Sequence, residues 1–220
     1  MNICKYKYLL FDCDGVIMNS NKIKTSAFGK AVSEFGDAAS NELIAFHEER
    51  GGITRYEKFQ YFYDVISVKH QIDKKNISIN KLLEKYGRIV KQQLEVCEID
   101  NSITEYRKKS DAKWFIVTGS DQQELINILK KRKIFKDFEG GIYGGPKSKI
   151  DIFEFLIKTN KIETSECLYI GDSKYDFIAA SKFHIDFVFL SHWSEFKDLK
   201  NYATKNRIPT FNSFKKLLIS

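Results

Sequence analysis

The chain has 220 residues and a net charge of +7, from 36 Lys and Arg against 29 Asp and Glu. Hydrophobic residues make up 43% and charged residues 30%, a balance that suits a globular protein of one large domain or a domain carrying a smaller one. There is no apolar run of the roughly 18 residues a membrane span needs, no secretory pattern at the N-terminus and no basic block, so neither a membrane nor a nucleic-acid partner is expected.

The first element is the apolar run Tyr8, Leu9, Leu10 and Phe11, which ends in Asp12-Cys13-Asp14-Gly15 and reads as a buried strand. Asp12 and Asp14 lie two residues apart and leave the strand on roughly the same side. Such a pair is costly unless a cation neutralises it or one member keeps its proton. An Asp-rich turn is the plainer alternative. Residues 21–35 read as a helix, with Ile23, Ala27, Ala31 and Phe35 at helical spacing, broken by Gly36. A second helix over 41–50 is ended by Gly51-Gly52. The third, over 55–68, carries Tyr56, Phe59, Tyr61, Phe62 and Tyr63, an aromatic stripe expected to pack rather than bind a ligand. The fourth, over 80–97, sets Leu82, Leu83, Tyr86, Ile89, Val90 and Leu94 on one face. No strand is expected in this region.

Beyond Lys108 the pattern changes. Short apolar runs at 114–118, 142–143, 167–170 and 186–190 read as strands. Helices are expected between and after them, at 121–131, to about 158, after Ser173, at 195–203 and at 214–219. Ser120 with Gln123, Ser148 with Asp151 and Ser173 with Asp176 have the spacing of capping boxes. Alternating strands and helices imply a parallel sheet with helices on both faces.

Four motifs, each after an apolar run, give these elements a chemical meaning. Phe11-Asp12-Cys13-Asp14-Gly15-Val16, Ile116-Val117-Thr118-Gly119, the lysines of Gly145-Pro146-Lys147-Ser148-Lys149, and Gly171-Asp172-Ser173 with Asp176 occur in that order. Together they resemble the haloacid dehalogenase superfamily, in its phosphoglycolate phosphatase and β-phosphoglucomutase-like branch. The resemblance implies an α/β fold, a doubly wound Rossmann-like parallel sheet core with a small all-α helical cap domain. Only the long gap between Asp14 and Thr118 has room for the cap. The expected organisation is therefore a catalytic core of residues 1–18 and 105–220 and a cap of residues 19–104.

The resemblance also implies roles. Asp12 is the nucleophile and Asp14 the acid/base. Thr118, Gly119 and a lysine bind phosphate, and Asp12, the backbone carbonyl of Asp14, Asp172 and Asp176 hold or support Mg²⁺. Asp176 has a structural alternative as a helix cap. Two lysines compete. A spacing of four from Asp151 selects Lys147, whereas a lysine directly after a small hydroxyl residue selects Lys149. Lys149 would occupy the first helical position, where the dipole disfavours a cation by about 0.3–1 kcal/mol unless an anion faces it, and this argument favours Lys149. Arg50 and Arg55 flank the Gly51-Gly52 turn and are candidates for reading the substrate. Asn19 stands where many members carry an acidic residue.

The activity implied is a Mg²⁺-dependent phosphatase acting on a small phosphorylated metabolite through an aspartyl phosphate. A phosphosugar mutase and a non-catalytic binding protein on the same fold are the alternatives. The presence of Asp14 argues against a dehalogenase. Cys4, Cys13, Cys97 and Cys167 form no CxxC pair, so a reducing cytoplasm is expected, and His47, His70, His184 and His192 show no ligand spacing and are expected to be structural or surface residues. A monomer or homodimer is expected.

Overall fold

Six short apolar runs set the architecture of this computed structural model, which describes residues 2–219. β1 (Tyr8–Phe11), β2 (Lys113–Asp121), β3 (Gly141–Gly145), β4 (Cys167–Gly171), β5 (Asp186–Leu190) and β6 (Thr210–Phe211) form one sheet in the order β3-β2-β1-β4-β5-β6. All its pairings are parallel. Side chains alternate across the pleat, so each strand feeds two cores. Leu9, Phe11, Trp114, Ile116, Leu168 and Ile170 face one core, and Leu10, Phe115, Val117, Tyr169, Phe187 and Phe189 face the other.

Helices cover both faces. α6 (Asn101–Arg107), α7 (Gln122–Lys131) and α11 (Phe214–Leu218) bury Ile103, Leu125, Leu129, Phe214 and Leu217 in the first core. α8 (Lys149–Lys158), α9 (Lys174–Lys182) and α10 (Leu199–Asn206) bury Phe153, Leu156, Ala179, Ala180 and Leu199 in the second. In this strand order the direction of winding reverses between β1 and β4. The crevice outside their carboxyl ends is the favoured ligand position in such sheets.

Between β1 and β2 the chain forms helices and turns, with isolated bridges from Met18 to Asp14 and to Ile99 but no strand. Ahead of α6 these include α1 (Asn21–Ala31), α2 (Asp37–Glu49), α3 (Arg55–Tyr61), a π-helical turn over Phe62–Ile66, α4 (Ser67–Lys69) and α5 (Ile79–Leu94). α1 packs against α2 and α5. Phe28 joins them, its ring centroid 4.4 Å from Tyr86 and 5.3 Å from Phe59. α3 starts from a complete capping box between Thr54 and Glu57.

Several boundaries differ from the sequence pattern. α1 stops at Ala31, and residues 33–35 form a separate 3-10 turn. α2 starts at Asp37, directly after Gly36 with its φ of +97°. α6 and the two-residue β6 carry too little periodicity to be read from sequence, and α10 begins only at Leu199. Ser120 is no helix cap. β2 runs on to Asp121, whose own carboxylate accepts the Glu124 N–H at 2.8 Å and caps α7. No helix among the described residues is long and apolar enough to cross a membrane.

Candidate active site

β1 ends at Phe11, so Asp12 emerges at the crevice. Its N–H still donates to Ile170 O at 2.9 Å, which extends the sheet ladder by one bond. Asp12 is buried, and its Oδ1 accepts the Cys13 N–H at 2.7 Å. Lys149, the first residue of α8, reaches across to it with Nζ 3.0 Å from Asp12 Oδ2, and the same ammonium donates to Asp176. The side chain is fully buried. Lys147 is exposed and lies instead over the Phe155 ring at 4.9 Å.

Asp176 serves two purposes. Its Oδ2 accepts the Ser173 hydroxyl at 2.7 Å and the Asp172 and Ser173 N–H groups at 3.2 and 3.0 Å, and it completes the capping box of α9. Its Oδ1 accepts from Lys149 and from the Tyr169 hydroxyl. Asp172 follows β4 and accepts from Asn21 Nδ2 at 2.7 Å. Gly15 has a φ of +75°, and a Cβ there would lie 2.1 Å from Asp172 Oδ2, so no side chain can stand between them.

Asp12, Asp172 and Asp176 bring carboxylate oxygens within 4.8 Å of one another. One ammonium cannot serve three buried carboxylates. Burial pushes Asp12 up to about 7; Lys149 opposes this, and Asp176 and Asp14 add to it. Burial, reinforced by Asp12 and Asp176, pushes Asp172 well above the usual carboxylate range. Burial alone would lower the Lys149 ammonium, but Asp12 and Asp176 outweigh it and hold the proton on. This surplus of hard oxygen ligands fits a divalent cation such as Mg²⁺. Since the Asp176 oxygens are already occupied by five donors, Asp12 and Asp172 are the side chains best placed to hold it.

The Asp14 side chain turns the other way. It accepts from Ser20 Oγ and Lys24 Nζ at 2.5 Å each and from Ser120 Oγ at 2.6 Å. Lys24 also donates to Ser120. Burial would raise Asp14, but Lys24 and the two hydroxyls outweigh it and hold the carboxyl well below its usual range. Thr118 is fully buried, its hydroxyl accepting the Ser120 N–H at 3.2 Å, and it does not line the cavity that Gly119 and Ser120 line. Asn19 bonds weakly to Glu98, at 3.4 Å.

The helices between β1 and β2 close the crevice. A Cβ on Gly119 would lie 2.5 Å from the Gly52 carbonyl oxygen, and one on Gly52 would lie 2.6 Å from Ser173 Oγ. The Gly51-Gly52 turn thus presses onto the two core motifs. The arginines beside it diverge. Arg55 is buried, bonds Glu124 at 2.8 Å and lies over the Tyr86 ring at 4.6 Å, at the cavity wall. Arg50 is exposed, 3.9 Å from Glu49, and lines a neighbouring groove.

The cavity under this roof measures about 70 Å³. Asp12, Asp14 and Asp172 line its floor, and Lys24, Phe28, His47, Arg55, Lys58 and Tyr86 its helical side. Lys58 Nζ is 2.7 Å from His47 Nδ1. Burial pushes Lys58 down to about 7 and the His47 imidazole well below its usual range, each cation nearby adding to the effect. The sequence pattern did not single out Lys24, Lys58 or His47. The available signal was a polar residue inside a buried stripe. Lys24 shares the stripe of Ala27, Phe28 and Ala31, and Lys58 that of Arg55, Phe59 and Phe62.

A family model described as haloacid dehalogenase-like hydrolase matches residues 9–190. No curated protein matches the sequence. Among solved structures, a predicted phosphoglycolate phosphatase from Haemophilus somnus superposes with a TM-score of 0.75 at 18% identity, covering 97% of both chains. A predicted phosphatase from Clostridium acetobutylicum gives 0.72 at 19%, over 97% of this chain and 96% of that one. CbbY from Rhodobacter sphaeroides, in complex with phosphate, gives 0.68 at 15%, over 96% of each. At these identities the likeness speaks for the fold.

Proposed function

This chain belongs to the haloacid dehalogenase-like hydrolase family, and from that premise we propose that it is a Mg²⁺-dependent phosphatase of a small phosphate monoester. The observation that carries the reading is the buried Lys149 ammonium between Asp12 and Asp176, at the crevice where β1 and β4 part. We assign residues 1–18 and 105–220 to the catalytic core and residues 19–104 to a cap, with α6, which packs against α11 under the sheet, counted whole with the core.

In this reading Asp12 attacks phosphorus and the ester oxygen leaves, which gives an aspartyl phosphate; water then cleaves it to release phosphate and restore the carboxylate. Asp14 gives a proton to the leaving alkoxide and takes one from the attacking water. The bonds from Ser20, Lys24 and Ser120 favour its carboxylate, the form that serves the second half. Lys149 fixes Asp12 and offers positive charge to the phosphoryl oxygens. Gly119, which lines the same cavity on β2, offers its N–H to the phosphoryl oxygens, and the Thr118 hydroxyl, which holds the Ser120 N–H, supports the turn from behind. Asp12 and Asp172, with the Asp14 carbonyl, would hold Mg²⁺, which when bound neutralises phosphoryl charge.

The test is phosphate release from p-nitrophenyl phosphate, with and without Mg²⁺, by the wild type and by Asp12→Asn. Release is expected only from the wild type with metal, while the variant keeps its thermal melt. Substantial turnover by the folded variant would overturn the role of Asp12. Isomerisation of a hexose phosphate without free phosphate would place the chain with the phosphosugar mutases.

A further inference from the structure

Of the three clustered carboxylates, Asp12 and Asp176 share the Lys149 ammonium, while Asp172 forms no ion pair among the described residues. Asp172 is buried and is held instead by a neutral amide, with Asn21 Nδ2 2.7 Å from its Oδ2. The same nitrogen donates to the Trp193 carbonyl at 2.9 Å, so both amide N–H groups are committed. Asn21 opens α1, yet its side chain reaches partners 151 and 172 positions away. Gly15 keeps the path clear. A Cβ there would lie 2.1 Å from Asp172 Oδ2 and 2.4 Å from Asn21 Nδ2. The Asp172 backbone is fixed as well, its N–H donating to Asp176 Oδ2 at 3.2 Å and its carbonyl accepting from Ser194 Oγ at 2.5 Å.

We propose that Asn21 is a positioning residue for the metal: it holds the Asp172 carboxylate ready for Mg²⁺ and ties metal affinity to the docking of α1 on the core. The proposal rests on the reading of Asp12 and Asp172 as the side chains that hold Mg²⁺. A neutral amide suits this task. It fixes the direction of the carboxylate and leaves its charge for the cation, whereas an ammonium in the same place would compete with the metal. Partners that hydrogen-bond a metal ligand orient it before the metal arrives, so the ordering cost is not taken from the binding energy. Because α1 lies in the segment assigned to the cap, the bond crosses from cap to core. Thr25 separates orientation from docking. One turn along α1, its hydroxyl donates to Glu195 Oε2 at 2.6 Å, joining the same helix to the same loop without bonding Asp172.

The experiment titrates Mg²⁺ into the wild type, Asn21→Ala and Thr25→Val, and reads Kd by calorimetry and from the rise in Tm. Asn21→Ala should raise Kd by about 10- to 100-fold, the usual effect of removing a partner of a metal ligand. Thr25→Val should stay within about threefold of the wild type. In phosphate release from p-nitrophenyl phosphate, the Mg²⁺ concentration that gives half the maximal rate should rise with Kd in Asn21→Ala, and kcat at saturating Mg²⁺ should fall by a smaller factor. Equal weakening of Mg²⁺ binding in both variants would show that docking of α1, not the bond to Asp172, sets the affinity, and would overturn the proposal. So would an unchanged Kd in Asn21→Ala beside a wild type that binds Mg²⁺. A wild type indifferent to Mg²⁺ in calorimetry and melts would reject the metal reading itself, and the proposal with it. If Asn21→Ala shows no cooperative melt, Asn21→Ser replaces it, its hydroxyl being too short to reach both acceptors.

Discussion

At the scale of single residues, burial separates two lysines the sequence left in competition. Lys149 spends a fully buried ammonium on Asp12 and Asp176, while Lys147 stands in solvent beside Phe155. Removing a fixed donor from a developing oxyanion costs about 10²–10³ in kcat. Lys149→Ala should lose at least about that much with Mg²⁺ saturating, and Lys147→Ala less than about threefold. The reverse ranking in phosphate-release assays would return the role to Lys147. Lys24 teaches a complementary lesson. A lysine at helical spacing from Ala27, Phe28 and Ala31 was visible in the sequence, but its target, Asp14, lies on the strand side of the crevice and becomes a partner only when α1 docks. Arg50 and Arg55 looked equivalent, and packing separated them, because only Arg55 points inward.

At the scale of elements, two of the three expected capping boxes are complete. Ser148–Asp151 and Ser173–Asp176 make both reciprocal bonds, because all their partners lie within one helical turn. The third failed because Ser120 belongs to β2 and answers to Asp14 across the sheet instead. The Gly51-Gly52 turn gives the sharpest test of how α2 and α3 meet the core. Gly119→Ala would put a methyl 2.5 Å from the Gly52 carbonyl, so the turn must withdraw. Activity should fall at least about tenfold, by analogy with the cost of misplaced site groups. Gly36→Ala is the control. Nothing lies within 4 Å of its added Cβ, and only the φ of +97° resists it. That strain, about 1–2 kcal/mol, should lower Tm by roughly 2–8 °C and leave kcat/KM within about twofold. Equal activity loss in both variants, read in melts and kinetics together, would show that the turn contact does not matter to the site.

At the scale of the whole molecule, the two halves of the sheet meet where charge is least balanced. Asp12 arrives from β1 and Asp172 from β4; burial makes both harder to ionise, Asp176 adds to each, and Asp12 adds to Asp172. A cation bound there joins segments far apart in sequence and stabilises the folded state alone. At about 100 times its Kd, Mg²⁺ should add about 2.7 kcal/mol and raise Tm by roughly 5–10 °C. EDTA should reverse the rise, and Asp172→Asn should abolish it. A wild-type melt indifferent to Mg²⁺ would remove the metal from the mechanism.

Local patterning was enough to determine the parallel α/β core and the helical stretch between β1 and β2, and the order of the motifs singled out Asp12, Asp14, Asp172 and Asp176, of which the fold gathers Asp12, Asp172 and Asp176. Strand runs, turn glycines and caps act over a few residues, and the motif spacing sits at strand ends that any such sheet gathers at one edge. Tertiary structure alone decided who faces whom. The long contacts of Lys149 to Asp12, Lys24 to Asp14, and the His47–Lys58 pair over the cavity each join different elements. Such pairings depend on how helices dock on the sheet and on which charges docking leaves uncompensated, and no window of sequence holds that information.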